Sequence, residues 1–303
     1  MKKLFDARLM LIVSMAIFGT IGYFKRNIAV SSGELALYRA VLAAVFIGFF
    51  LLVTKQRIPF GKIKKQLPLL FFSGAAMGFN WILLFEAYEN TTVSIATISY
   101  YFAPVIVMLV CPILFKEKMG IKQIICFIMS TVGIVLISVS GSGEEGKNNF
   151  LGILFGLGAA CLYATVILIN KFIKNVDGIH RTFLQFLSAI AVLMPYVAFT
   201  GGCTLGSLDT KGFIFLLIVG LVHTGVTYCM YFSSLKELSG QKAAVLSYID
   251  PLVAVLCSCF LLHEKMEIWQ ITGAVLVFGF TLLNEISFEN IGGKRLERSN
   301  KRS

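Results

Sequence analysis

Apolar residues in this chain neither alternate nor recur as a narrow stripe. They run on in blocks, at 9–28, 34–53, 67–88, 93–115, 121–139, 150–170, 182–200, 211–232, 241–262 and 268–284, with short polar stretches between. Roughly 20 mainly apolar residues cross about 30 Å of hydrocarbon as a helix. The pattern predicts ten membrane spans and leaves no room for a separate soluble domain. A backbone in lipid must satisfy its own hydrogen bonds, so the spans are helices; the period-2 segments of about ten residues that mark barrel strands are not seen. The first block, in MKKLFDARLMLIVSMAIFGTIGYF, has the basic-then-apolar order of a signal peptide. No small-x-small cleavage site follows it, and it reads as a retained first helix.

Composition agrees. The chain is 57% hydrophobic and only 14% charged, where a soluble domain is about a quarter charged. The net charge of +11 could suggest nucleic acid, but its distribution does not. With the N-terminus in the cytoplasm and ten alternating spans, the outside segments hold Lys25, Arg26, Lys147, Lys211 and Lys265. Arg39 lies within a span, and every other Lys and Arg falls inside. That bias is the positive-inside rule. It predicts a multi-pass protein of the plasma (cytoplasmic) membrane with both termini cytoplasmic, whose surroundings are lipid and not nucleic acid. The seven cysteines show no CxxC pairing and read as small buried hydrophobes.

The polar punctuation repeats. YYFAPVIVMLVCPILFKEKM at 100–119 and SYIDPLVAVLCSCFLLHEKM at 247–266 align at an offset of 147 residues, with Tyr101/Tyr248, Pro104/Pro251, Glu117/Glu264, Lys118/Lys265, Met119/Met266, Gln123/Gln270 and Ile124/Ile271 identical. Apolar matches arise by chance, but Pro-x12-Glu-Lys-Met-x3-Gln-Ile does not readily recur. Each copy falls in the fourth and fifth spans of a five-span half. Five is odd, so the second half enters the bilayer from the opposite side. The expected fold is all-α, ten transmembrane helices as two inverted five-helix repeats. The first repeat is 1–139, an extracytoplasmic linker 140–149, the second repeat 150–285 and a basic cytoplasmic tail 286–303. Inverted repeats recur in secondary transporters, where substrate binds at the repeat interface near the midplane.

At this point a family resemblance is plain. GFNWILLFEAYENTTVSIATISYYFAPVIVMLVCPILFKEKMGIKQ resembles the third to fifth helices of the drug/metabolite transporter superfamily, in its ten-helix EamA-like branch. LYRAVLAA at 37–44 resembles that family's second-helix Arg motif, and SYIDPLVAVLCSCFLLHEKMEIWQITGAVL its ninth and tenth helices. The resemblance covers 9–284. It implies a small-molecule carrier, often an exporter of amino acids or other metabolites, with cytoplasmic termini.

Several residues stand out. Pro104 and Pro251 sit in mid-span, where a proline removes a backbone hydrogen bond; they read as kinks that pack, or as breaks bordering a central cavity. Glu117 and Glu264 precede the next helix and read as helix-joint residues. Ionisable groups within spans are costly and point to function. His223 and Asp250 have Ala76 and Ala103 as repeat counterparts, so the scaffold does not demand them. Together they could relay a proton or hold a substrate ammonium group, or simply satisfy each other. Arg39 suits a carboxylate or phosphate, or an internal ion pair with Glu34 or Glu86. Asn80, Trp81, Tyr101, Tyr163, Tyr228 and Tyr248 could form an amphipathic lining, with Gln185 a weaker candidate.

Other motifs carry no chemistry. GSGEEG at 141–146 fits Gly-x-Gly-x-x-Gly, but it lies in an outside loop and its glutamates would repel phosphate. An intramembrane enzyme would need a nucleophile with a base, or paired ligands, and His180, His223 and His263 offer neither. A sensor would more naturally carry a soluble output domain. No metal or cofactor is expected. A secondary carrier of a small polar or amphipathic metabolite, with protons as a possible second partner, fits best.

Overall fold

The computed structural model describes residues 7–115, 120–139, 148–174, 176–201, 204–235, 237–238 and 246–285. Among these the regular structure is helical, without a strand. Seven helices are long and apolar enough to cross a membrane: α1 (Ala7–Arg26), α2 (Ser32–Val53), α3 (Lys64–Asn90), α4 (Val93–Val110, continuing to Phe115), α6 (Asn149–Phe172), α7 (Gly178–Thr200) and α8 (Thr210–Leu235). Three shorter apolar helices are also described: α5 (Ile121–Ile137), α9 (Ile249–Leu261) and α10 (Ile268–Asn284). The outward faces are greasy, with Phe199 91% exposed and Leu52 78%. In water such surfaces would aggregate; in lipid they are solvated. The protein is an integral multi-pass membrane protein.

Polar residues set the helix ends. Ser31 and Glu34 form a capping box at the start of α2, with Glu34 N donating to Ser31 Oγ and Ser31 N to Glu34 Oε2, each 3.2 Å. Thr92, Asn148 and Asp209 cap α4, α6 and α8 in the same sense. Within the bundle, small residues let helices approach. The buried alanines of α2 pack with Phe85, Phe186, Leu193 and Val219 in the largest core. A Cβ on Gly133 of α5 would stand 2.7 Å from the Gly273 carbonyl oxygen of α10, so only glycine permits that crossing. The helix neighbours are α1 with α8 and α9, α6 with α3 and α4, α2 with α7 and α8, α3 with α7, α4 with α9, and α5 with α10.

Irregularities interrupt several of the described helices. The first is in α1, which is divided at Thr20 into Ala7–Gly19 and Ile21–Arg26. The next divides α4 into Val93–Tyr100 and Ala103–Phe115, and the bonds across the gap tighten to Phe102 N→Ser99 O and Val105 N→Phe102 O. In α8 the middle, Ile218–Val226, is a π-helix; the hydroxyls of Thr224 within it and of Thr227 just after it donate to the carbonyls five residues back. Pro104 and Pro251 do not kink continuous helices. Each lies in the first turn of its helical piece, after a turn at Tyr101–Phe102 or Tyr248, where a missing N–H costs little.

Candidate substrate cavity

The irregularities surround a cavity of about 330 Å³ enclosed by α1, α2, α3, α4, α6, α8 and α9. Its floor is aromatic because helical spacing turns successive rings to one side. Trp81, Leu84 and Tyr88 come from α3, and Thr97, Tyr100, Tyr101, Pro104 and Val107 from α4. Tyr163 and Ile167 of α6, Tyr228 and Tyr231 of α8, and Phe18 of α1 close the ring. The rings brace one another edge to face, Phe18 against Tyr228 at 5.1 Å and Trp81 against Phe186 at 5.5 Å. Their hydroxyls supply polar contacts to an otherwise apolar space.

Two charged side chains reach this wall. Arg39 is 3% exposed, yet it pairs with neither Glu34 nor Glu86. Its Nε donates to Thr224 Oγ1 of the π-helix at 3.1 Å, and its guanidinium carbon lies 4.4 Å from the Trp81 ring centre and 5.5 Å from that of Phe85. Glu34 is occupied elsewhere. It accepts from Thr204 N at 2.5 Å, from Thr204 Oγ1 at 2.7 Å and from Tyr38 OH at 3.2 Å, fastening the start of α2 to the α7–α8 connection. Asp250, at the start of α9, accepts from Tyr101 OH of α4 at 2.5 Å. Both side chains are thus held by neutral groups and rings.

Of the residues singled out from the sequence, Arg39, Trp81, Tyr101, Pro104, Tyr163, Tyr228, Tyr248 and Asp250 line this one cavity. Others lie elsewhere. Asn80 donates its side-chain N–H to the Ala159 carbonyl at 2.6 Å and ties α3 to α6. Gln185 donates to Ser73 and Asn170, joining α7 to α3 and α6. Pro251 is buried outside the wall. His223 and Asp250 do not satisfy each other. The π-helix turns the imidazole toward the break in α1, where Nε2 meets Thr20 Oγ1 at 2.8 Å and the ring packs on Phe24.

Glu264 also departs from expectation. Instead of serving the helix that follows it, its carboxylate accepts from Arg26 Nη2 of α1 at 3.0 Å, from Val93 N at the start of α4 at 2.8 Å, and from Ser258 Oγ. Its repeat counterpart Glu117 lies outside the described residues.

Tyr88, Tyr100, Tyr231 and Thr97 were not singled out beforehand, because tyrosines near span ends usually only anchor at the lipid interface. The signal was present as spacing. Tyr88 lies seven residues from Trp81, Tyr231 three from Tyr228, and Thr97 four from Tyr101, which puts each pair on one helix face.

A model of the EamA-like transporter family matches residues 7–139 and again 150–285. An uncharacterized transporter of Bacillus subtilis (strain 168), YxxF, is 30% identical over 91% of this chain and 88% of its own length. An uncharacterized transporter of Archaeoglobus fulgidus is 24% identical over 90% and 94%. A solved crystal structure at 13% identity superposes with a TM-score of 0.63, covering 96% of this chain and 98% of the other, a likeness of fold alone. With membrane helices around one aromatic cavity and a family model matched along nearly its whole length, the chain belongs to the EamA-like transporter family and is a membrane transporter.

Proposed function

We propose that the protein is a secondary carrier that moves a small amphipathic metabolite through the Arg39–Asp250 cavity by alternating access, with Asp250 carrying the coupling proton. The carrying observation is that this one cavity holds a cation from α2 and a carboxylate from α9, each met by neutral groups or aromatic faces. A solute with an anionic end, an apolar body and a cationic or hydroxylated end matches that wall. Arg39 takes the anion, the tyrosines take the body, and Asp250 takes either the cation or a proton. His223, turned to Thr20, has no part in the relay.

The carrier is read as ten spans in two inverted halves, 1–139 and 150–285, joined by 140–149 and followed by the tail 286–303. Two features support this. The family model matches once in each half. The helix neighbours named above also map onto themselves when every helix is exchanged for the one five places away. The neighbours of α1, α8 and α9, become α3 and α4 beside α6, while α2–α7, α4–α9 and α5–α10 exchange within their own pairs. Such a pairing is what two halves related by a two-fold axis produce, and an odd number of spans in each half turns that axis into the membrane plane. The distribution of Lys and Arg supports cytoplasmic termini in the plasma membrane.

Purified protein in liposomes containing a pH-sensitive dye tests this against amino acids, nucleosides, sugars and cationic amphiphiles. A pH change that requires one substrate and disappears in Asp250→Asn is expected. Tracer uptake without a pH change would keep the carrier and remove the proton.

A further inference from the structure

We infer that Arg26 and Glu264 form a gate, a charged latch that seals one end of the bundle and must part for the cavity to open there. The latch joins what the carrier reading assigns to separate halves, and it rests on that reading. Glu264 is 5% exposed and follows α9, yet both of its carboxylate oxygens accept from the other half, from Arg26 and Val93. Arg26, at the end of α1, donates one Nη2 both to the Thr91 carbonyl at 2.7 Å and to Glu264 at 3.0 Å. Val93 N, at the start of α4, donates to the second carboxylate oxygen, and Ser258 of α9 donates there too. One carboxylate therefore ties α1, α4 and α9 together. Beside it Lys25, 2% exposed, bonds Glu89 of α3 at 2.5 Å.

Position makes the latch a gate and not merely a staple. Leu84 and Tyr88, near the end of α3, belong to the cavity wall, and the latch closes on Thr91, the residue that follows that helix. At its other end the cavity extends to Ile167, Tyr231 and Ser247, near the opposite ends of α6, α8 and α9. The ion pairs thus lie at the end of the bundle where α3 gives way to α4, and the cavity reaches toward the other end. Hydrogen bonds among charged groups suit a closure that must hold and then release. Their loss on opening is repaid by water, whereas an apolar seal would expose its greasy faces.

The test uses a cysteine reporter on the cavity wall, Leu84→Cys, and a membrane-impermeant maleimide applied to intact cells and to inside-out vesicles. Each reading is corrected by the same chain without the reporter. In the otherwise native chain the reporter is expected to label from one side only. Arg26→Gln, which removes the latch at a residue of lower burial, is expected to raise labelling from the opposite side about tenfold by shifting the balance of the two states. Glu264→Gln is expected to do the same, more strongly, while Arg26→Lys leaves the native pattern. Full-length Arg26→Gln in the membrane with labelling unchanged on both sides would overturn the gate. So would a gain confined to the side already open. Neither result needs a substrate, so the liposome flux judges the carrier separately.

Discussion

Arg39 lines the cavity and Arg26 lies outside its wall, and the surroundings of the two arginines differ in kind. Arg26 meets a carboxylate and a backbone carbonyl, and its charge is cancelled within the protein. Arg39, deeper and less exposed, meets a hydroxyl and two aromatic faces. Desolvating a guanidinium without a counter-ion is expensive. A fold does not keep that expense for packing when α2 could carry a leucine there. The difference separates charges that hold the bundle together from charges kept for something that comes and goes. Asp250, braced by Tyr101, belongs to the second kind, and Glu264 to the first.

The comparison breaks most directly at Arg39. Arg39→Gln leaves no acidic partner stranded, so thermal stability in detergent should stay near that of the native chain. Apparent affinity for the transported solute should fall roughly 10- to 150-fold, because a charged hydrogen bond contributes about 1.5–3 kcal/mol. Arg39→Lys should lie between, keeping the charge but losing the planar fork and its stacking on Trp81. A large loss of stability with affinity unchanged would place Arg39 with Arg26, among the structural charges.

Asn80 sharpens the contrast from the other direction. It neighbours Trp81 in sequence but points to the Ala159 carbonyl, so Asn80→Ala should cost about 1–2 kcal/mol of stability, measured as a lower melting temperature. Apparent KM should not move. A shifted KM with stability intact would return Asn80 to the cavity.

Much of this was legible beforehand, for reasons that differ by residue. The helices follow from apolar runs, which lipid turns into helices with little freedom. Arg39, Tyr101 and Asp250 were legible because charge or polarity in mid-span has few bland explanations. Asn80 was misplaced because two adjacent helical residues face about 100° apart, so Trp81 on the wall puts Asn80 off it. The partners of His223 and Glu264 were hidden for another reason. A π-helix shifts the register of every side chain after it, and a carboxylate at a helix end can reach any neighbour that tertiary packing supplies. Neither is written in local sequence.

His223 gives the smallest expected effect and the most pointed one. A buried imidazole one residue from the partner of Arg39 invites a part in proton movement, but its Nε2 bonds to Thr20 at the break in α1 and the cavity wall passes it by. Glutamine keeps a hydrogen-bonding group at similar reach and cannot titrate. His223→Gln should therefore leave substrate-driven proton flux within about fivefold of native, with an unchanged pH profile, since even the loss of one neutral hydrogen bond amounts to about 1 kcal/mol. Loss of the pH-dependent component with uptake retained would show that the π-helix carries the proton after all. Asp250 would then be left as a substrate contact alone, and the charges of the cavity would divide between two tasks instead of sharing one.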